Sequence, residues 1–226
     1  MKTEVRSQKQ EVRIKSRCLR LILCCFLILY SEFCILNSVY AEDEVARIQE
    51  AYKNIEDIKG AFVQQSYIKD LKRTDIYKGF LFIKRPSKMK WEYKGDQPQE
   101  VIINNDKILI HKKAEKQAFK GMFSRQTYGQ APIALLGGFG NIKEEFNVTQ
   151  KQGRLILTPK RSMGNIVSIE LETSEEGFPI KYFVINDTRS NRIEITLKDI
   201  KINTGIKDGM FNFSLPDGVN VYEHNP

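Results

Sequence analysis

Past residue 41 this sequence contains no cysteine: Cys18, Cys24, Cys25 and Cys34 all fall before it. For residues 42–226 that excludes a disulfide framework, a thiolate metal site and a thiol nucleophile together. Histidine is nearly as scarce. His111 lies in a strand-like run and His224 in the C-terminal tail, and neither has the convergent companions a metal site needs. His111 reads as a surface residue, and no metal or other cofactor is expected. A G-x-S-x-G elbow is missing, and the two S-x-x-K matches, Ser66 to Lys69 and Ser87 to Lys90, lie in or beside strand patterns without the companion motifs of serine acylases. Gly137, Gly138 and Gly140 follow a helix-compatible run, whereas a phosphate-cradling loop precedes its helix. The adjacent acids Glu144-Glu145 and Glu175-Glu176 read as solvated strand ends and hairpin tips, since nothing drives their pKa values apart. Catalysis is therefore not expected. Nucleic acid is not an expected partner either, because the lysines and aromatics of Lys88 to Lys94 alternate and so fall on opposite faces of a strand, where a stacking platform would put them together.

Long apolar runs are absent except near the start. The first twenty residues are polar and basic, Leu21 to Tyr30 are unbroken apolar, and Ser31 and Glu32 interrupt the run well short of the roughly 20 residues a spanning helix needs. Small residues flank a cut at Val39-Tyr40-Ala41, so residues 1–41 are expected to be a cleavable signal peptide. The alternative is a retained anchor, because Phe33 to Leu36 extends the apolar stretch; either way the remainder is exported. The leader holds seven of the 36 Lys/Arg and three of the 28 Asp/Glu, so its removal halves the net charge from +8 to +4. Ser31-Glu32-Phe33 before Cys34 and Lys15-Ser16-Arg17 before Cys18 are not the small apolar context of lipoprotein processing. The protein is thus not expected to be lipidated itself. Residues 42–226 show no linker, low-complexity tract or repeat and read as one domain.

What is present is periodicity. Asp43 to Ile58 places Val45, Ile48, Ala51, Tyr52, Ile55 and Ile58 at three- and four-residue spacing, which predicts a helix that Gly60 ends. Beyond it the period becomes two. Met89, Trp91 and Tyr93 alternate with lysines and Glu92; Val167, Ile169 and Leu171 with Ser168 and Glu170; Ile193, Ile195 and Leu197 with Glu194 and Thr196. Turn signals at Asn104-Asn105-Asp106, Gln152-Gly153, Glu175-Glu176-Gly177 and Asn186-Asp187 separate these runs. About ten antiparallel strands are expected, as a sandwich or a curled, barrel-like sheet. Ser124 to Gly140 breaks the pattern: Pro132 near a first turn and terminal glycines frame a short helix rich in Ile133, Leu135, Leu136 and Phe139. Such a helix must cover something apolar, and a lid over the open face of the sheet is the expectation.

Gly79 to Tyr93, GFLFIKRPSKMKWEY, resembles the outer-membrane lipoprotein carrier family, LolA, in its Lys84-Arg85-Pro86 followed by an aromatic. Pro132 to Gly137 resembles the family's lid helix, Leu157-Thr158-Pro159-Lys160 with Gly164-Asn165 its midchain strand and turn, and Phe211 to Val221 its close. The resemblance implies a mainly β fold with a few helices: an incomplete antiparallel β-barrel, its helices forming a lid over an apolar cavity. It implies a monomeric periplasmic chaperone that holds lipoprotein acyl chains between an inner-membrane ABC-type lipoprotein-releasing complex and an outer-membrane receptor, or the outer membrane itself. It also implies that Arg85 latches the lid of the empty carrier, a role suited to a fork of donors facing unpaired carbonyls at a helix end. Leu81, Ile83, Met89, Trp91 and Tyr93 become cavity-lining candidates, although alternation alone serves ordinary core packing equally well. One departure is Asn105-Asp106 with Leu109 and His111, where relatives often carry Asp-Gly and then Trp and Tyr. Two other readings are an anchored receptor or lipid-sensing module of the same fold, which the leader's cysteine contexts disfavour, and a lipid-modifying enzyme, for which no nucleophile and base are paired.

Overall fold

A helix, α1 (residues 42–53), opens the computed structural model, which describes residues 42–124, 136–137, 141–175 and 177–224. A meander follows: β1 (Asp57–Ile68), β2 (Arg73–Lys84), β3 (Lys88–Lys94), β4 (Gln99–Asn104), β5 (Lys107–Lys112) and β6 (Gln117–Met122). A one-turn helix, α2 (Ile142–Glu145), leads into a second meander of β7 (Phe146–Lys151), β8 (Arg154–Pro159), β9 (Ile166–Thr173), β10 (Ile180–Asp187) and β11 (Arg192–Ile202). A 3₁₀ turn at Asp208–Phe211 precedes the last strand, β12 (Asn220–His224). All twelve strands form one sheet in the order β12-β6-β5-β4-β3-β2-β1-β11-β10-β9-β8-β7, the pairing of β1 with β11 joining the two meanders. β12 lies parallel to β6, and the other neighbours are antiparallel. The outermost strands, β7 and β12, do not pair, so the curled sheet stays unclosed, as an incomplete barrel.

Pleating decides which side chains face the hollow. Leu81, Trp91, Val101 and Ile110 stand opposite one another in successive strands, and Leu171, Phe183 and Ile195 continue the apolar face in the second meander. Val45, Ile48 and Tyr52 of α1 are buried in the same cluster, at about 1.5–3 kcal/mol for each fully buried large side chain. On the outer face of the first meander, Ile102, Leu109 and Ala118 are covered by Ile206 and Phe211 of the C-terminal segment, with Phe213 and Leu215 beside them. Lys84 and Lys88 hold that segment through Asp208, each at 2.7 Å.

Three local expectations are corrected. The predicted helix Asp43 to Ile58 ends at residue 53, and β1 begins at Asp57. Tertiary contacts override the helical spacing: Asn203 receives the Glu56 amide at 2.8 Å and donates to the Asn54 carbonyl at 2.8 Å, while Ile58 pairs with Ile202. The buried Asp57 carboxylate accepts from Thr204 N at 2.7 Å, Thr204 Oγ1 at 2.9 Å, Gly205 N at 2.8 Å and Ile206 N at 3.1 Å. Burial alone would push its pKa up, but these donors outweigh burial and hold it below the usual carboxylate range. Val167 is exposed, because a register shift opposite Asn186 and Asp187 lets Ile166 take the buried position instead. His111 is 5% exposed rather than at the surface, because its side of β5 lies on the covered outer face with Leu109.

Candidate functional site

The hollow has two ends built from the same strands. At one end Leu81, Ile83, Met89 and Trp91 are all buried against α1 and Leu136 in one cluster. These four candidates thus come together, yet here they pack against the protein's own helix. Leu136 is fully buried, and Gly137 sits so close to the wall that a Cβ built on it would lie 2.2 Å from Met89 Cε. The segment meets β3 at this point through backbone. Ile133, Leu135 and Phe139, the other residues expected in the lid helix, lie outside the described residues.

Arg85 follows β2 in the turn to β3, and its Nη1 donates to the carbonyls of Tyr52 and, at 3.5 Å, of Ile55. Its backbone N–H adds a bond of 2.9 Å to Glu56 O. These acceptors are at and just past the end of α1, where helical carbonyls lack partners. Arg85 therefore fastens the first helix to the sheet. Behind it, Tyr52 stacks at a tilt on Phe178, with ring centroids 5.7 Å apart. Burial pushes the Tyr52 phenol up, with Arg85 pulling in the opposite direction. Neither Tyr52 Oη nor Trp91 Nε1 has a hydrogen-bond partner among the described residues.

Among the described residues the other end is open. A cavity of about 1100 Å³ lies between the β1–β2, β3–β4 and β5–β6 hairpins, and of the five candidate lining residues only Tyr93 reaches it. Its wall is mixed. The Tyr93 hydroxyl donates to Gln64 Oε1 at 3.2 Å, and Gln64 Nε2 donates to Ser66 Oγ at 3.0 Å. Phe62 and Tyr77 hold the Tyr93 ring by edge contacts, with centroids 5.3 and 5.7 Å away. Gly79 makes the first contact possible: it stands between Phe62 and Tyr93 across β2, and a Cβ there would lie 1.9 Å from Glu92 O. Burial pushes the Tyr93 phenol up; burial and then the Asp75 carboxylate do the same to Tyr77. Both remain protonated donors at neutral pH. Around the rim stand the cations Arg73, Lys78, Lys94 and Lys112 and the acids Asp75, Asp96 and Glu115.

Sequence reasoning passed over Gln64 and Tyr77 and met Ser66 only in a dismissed S-x-x-K match. The available signal was parity, since Phe62, Gln64 and Ser66 share one face of β1 and an apolar row turning polar marks where the hollow meets water. The departure at Leu109 and His111 falls outside the hollow, because both face outward and Ile108 and Ile110 provide the inner wall of β5. Chemically, the site can enclose hydrocarbon at one end if α1 and the Leu136 segment move, and can hydrogen-bond at the other without any movement.

A family model described as outer membrane lipoprotein carrier protein LolA matches residues 53–214. The outer-membrane lipoprotein carrier protein of Halorhodospira halophila is 25% identical over 192 residues, covering 84% of this chain and 90% of the relative. That of Pseudomonas putida is 26% identical over 211 residues, covering 91% and 98%. A crystal structure of a LolA superfamily protein from Nitrosomonas europaea aligns with a TM-score of 0.49 at 9% identity, covering 76% of this chain and 97% of that one.

Proposed function

This chain belongs to the outer membrane lipoprotein carrier family, LolA, and on that premise we propose that it is a periplasmic chaperone taking lipoproteins from the inner to the outer membrane. The observation that carries this reading is the apolar concave face of an unclosed sheet, filled at its deep end by one helix and the Leu136 contact instead of a second sheet. A permanent core needs no such arrangement. A removable filling does, because its departure leaves a dry wall of Leu81, Ile83, Met89 and Trp91.

The energetics set the task. At about 0.8 kcal/mol per CH₂, a sixteen-carbon acyl chain is unfavourable in water by roughly 12 kcal/mol, so a carrier must enclose it. It must also give it up, and a displaceable helix held by a few hydrogen bonds provides the competitor that expels cargo. In this reading Arg85 is the latch: its bonds to Tyr52 O and Ile55 O favour the empty state. The protein works as a monomer, receives cargo from an inner-membrane ABC-type complex and delivers it to an outer-membrane receptor or the membrane itself. It carries out no catalysis. Residues 1–41 are its cleaved leader.

Residues Glu42 to Pro226, added to cells stripped of their outer membrane, should release lipoproteins as soluble one-to-one complexes, detected by gel filtration and immunoblotting. Lipoproteins that stay wholly in the membrane fraction would refute the carrier reading.

A further inference from the structure

Resting on the carrier reading, we infer that the hydrogen-bonded chain of buried Tyr93 and Gln64 with partly exposed Ser66 is a subsite for the ester carbonyls that join acyl chains to glycerol in the cargo. The space beside it has a mixed wall, Gln64, Ser66, Thr74 and Gln99 standing with Ile76, Tyr77 and Ile193, which suits the joint between a polar group and hydrocarbon. Hydrocarbon belongs at the deep end, in place of α1 and Leu136. One ligand filling both ends is therefore an amphiphile whose polar joint lies at the mouth and whose chains point inward.

The hydrogen-bonding pattern narrows the chemistry of that joint. Tyr93 donates to Gln64, and Gln64 uses one amide N–H on Ser66; the second amide N–H and the Ser66 hydroxyl proton are uncommitted among the described residues. A glyceryl ester carbonyl is an acceptor without a donor, which is the complement these groups require. Four cations against three acids at the rim leave little net field, so neither a free carboxylate nor a phosphate is selected. Gln64 is 7% exposed and Tyr93 9%, and the edge contacts of Phe62 and Tyr77 fix the phenol. The subsite is rigid before ligand arrives, which keeps the ordering cost of binding low.

The test compares a dipalmitoylglyceryl-cysteine peptide with its dihexadecyl diether counterpart, which has chains of the same length and no ester carbonyls, by displacement of an apolar fluorophore from the purified protein. The ester should bind about tenfold more tightly, the worth of one or two hydrogen bonds. Gln64→Leu and Ser66→Ala should shrink that ratio toward one. Should Gln64→Leu fail to fold, Ser66→Ala, on the partly exposed stretch of β1, reports alone. Equal affinity of wild-type protein for ester and diether overturns the subsite and leaves the carrier reading standing. A preference that survives both substitutions overturns its assignment to these residues. Binding of neither compound removes both readings.

Discussion

The deep end and the mouth of the hollow are made by the same strands, β1 to β5, a few residues apart, yet among the described residues one is filled and the other open. Two residues further along β3 from Met89, Trp91 is 1% exposed; two further again, Tyr93 borders open space. The difference comes from what lies over the wall. α1 and Leu136 cover the apolar end, where leaving it bare would expose an apolar face to water, whereas the mouth carries its own hydrogen bonds and can stand in water uncovered. A single sheet can thus hold a closed apolar compartment and an open, partly polar one without a partition. On the proposed carrier reading the former opens only when its helix leaves, whereas the latter is preformed.

That contrast makes substitutions at the deep end far costlier than at the mouth. Trp91→Ala should lower unfolding free energy by about 3–5 kcal/mol, the usual cost of truncating a buried large aromatic, measured by urea denaturation. Lys94→Ala at the rim should stay within about 0.5 kcal/mol. Comparable losses would erase the distinction. The Asp57 clasp comes next, because it anchors the start of β1 just after α1. Asp57→Asn puts an amide against the Gly205 and Ile206 N–H groups and should cost about 1–3 kcal/mol at pH 7. The folded-state pKa of Asp57 lies below its unfolded value, so its contribution is full above about pH 4 and fades as pH falls through the folded value. The gap between wild type and variant should therefore be widest at neutral pH and narrow below pH 4; a gap constant down to pH 2 would show that the carboxylate charge contributes nothing.

Legibility followed the range of the determining contact. In β3 neighbouring residues alternate cleanly, and Met89, Trp91 and Tyr93 face inward as their spacing predicts. The end of α1 was misplaced because the groups that set it, Asn203 and Thr204 to Ile206, lie nearly 150 residues away. The inward turn of Ile166 in place of Val167 depends on a bulge against β10, which no periodicity within β9 encodes. His111 was read as exposed because nothing local announces that the outer face of β5 is covered. At the site, spacing marked the buried row of β3; the mouth was overlooked because Gln64 and Ser66 become informative only when Tyr93 is placed beside them from another strand. Arg85 owed its selection to family resemblance, and its acceptors, Tyr52 O and Ile55 O, required the fold.

A smaller effect should separate the latch from the wall. Arg85→Leu removes the two side-chain bonds at the end of α1 and should cost about 1–2 kcal/mol, in the range of hydrogen bonds from a charged donor. Hydrogen exchange should accelerate through residues 42–53 while the amides of β3 keep their protection, and loaded protein should hand cargo on more slowly. Uniform acceleration in both elements would make Arg85 a general stabiliser of the fold and remove its latch role.

The smallest expected effect tests whether the deep end is closed at the Leu136 segment as well as at α1. A methyl group added at Gly137 meets Met89 Cε and then Met89 Sδ at 3.6 Å, with no third heavy atom of the described residues within 4 Å. The end of a methionine swings aside readily, so Gly137→Ala should cost only about 0.5 kcal/mol, well below the usual overpacking range. The effect should nonetheless be specific. In a double-mutant cycle with Met89→Ala, the cost of Gly137→Ala should vanish, because the atom it meets is gone. An additive cycle would mean that the segment does not rest on Met89 in solution, and that α1 alone closes the apolar end.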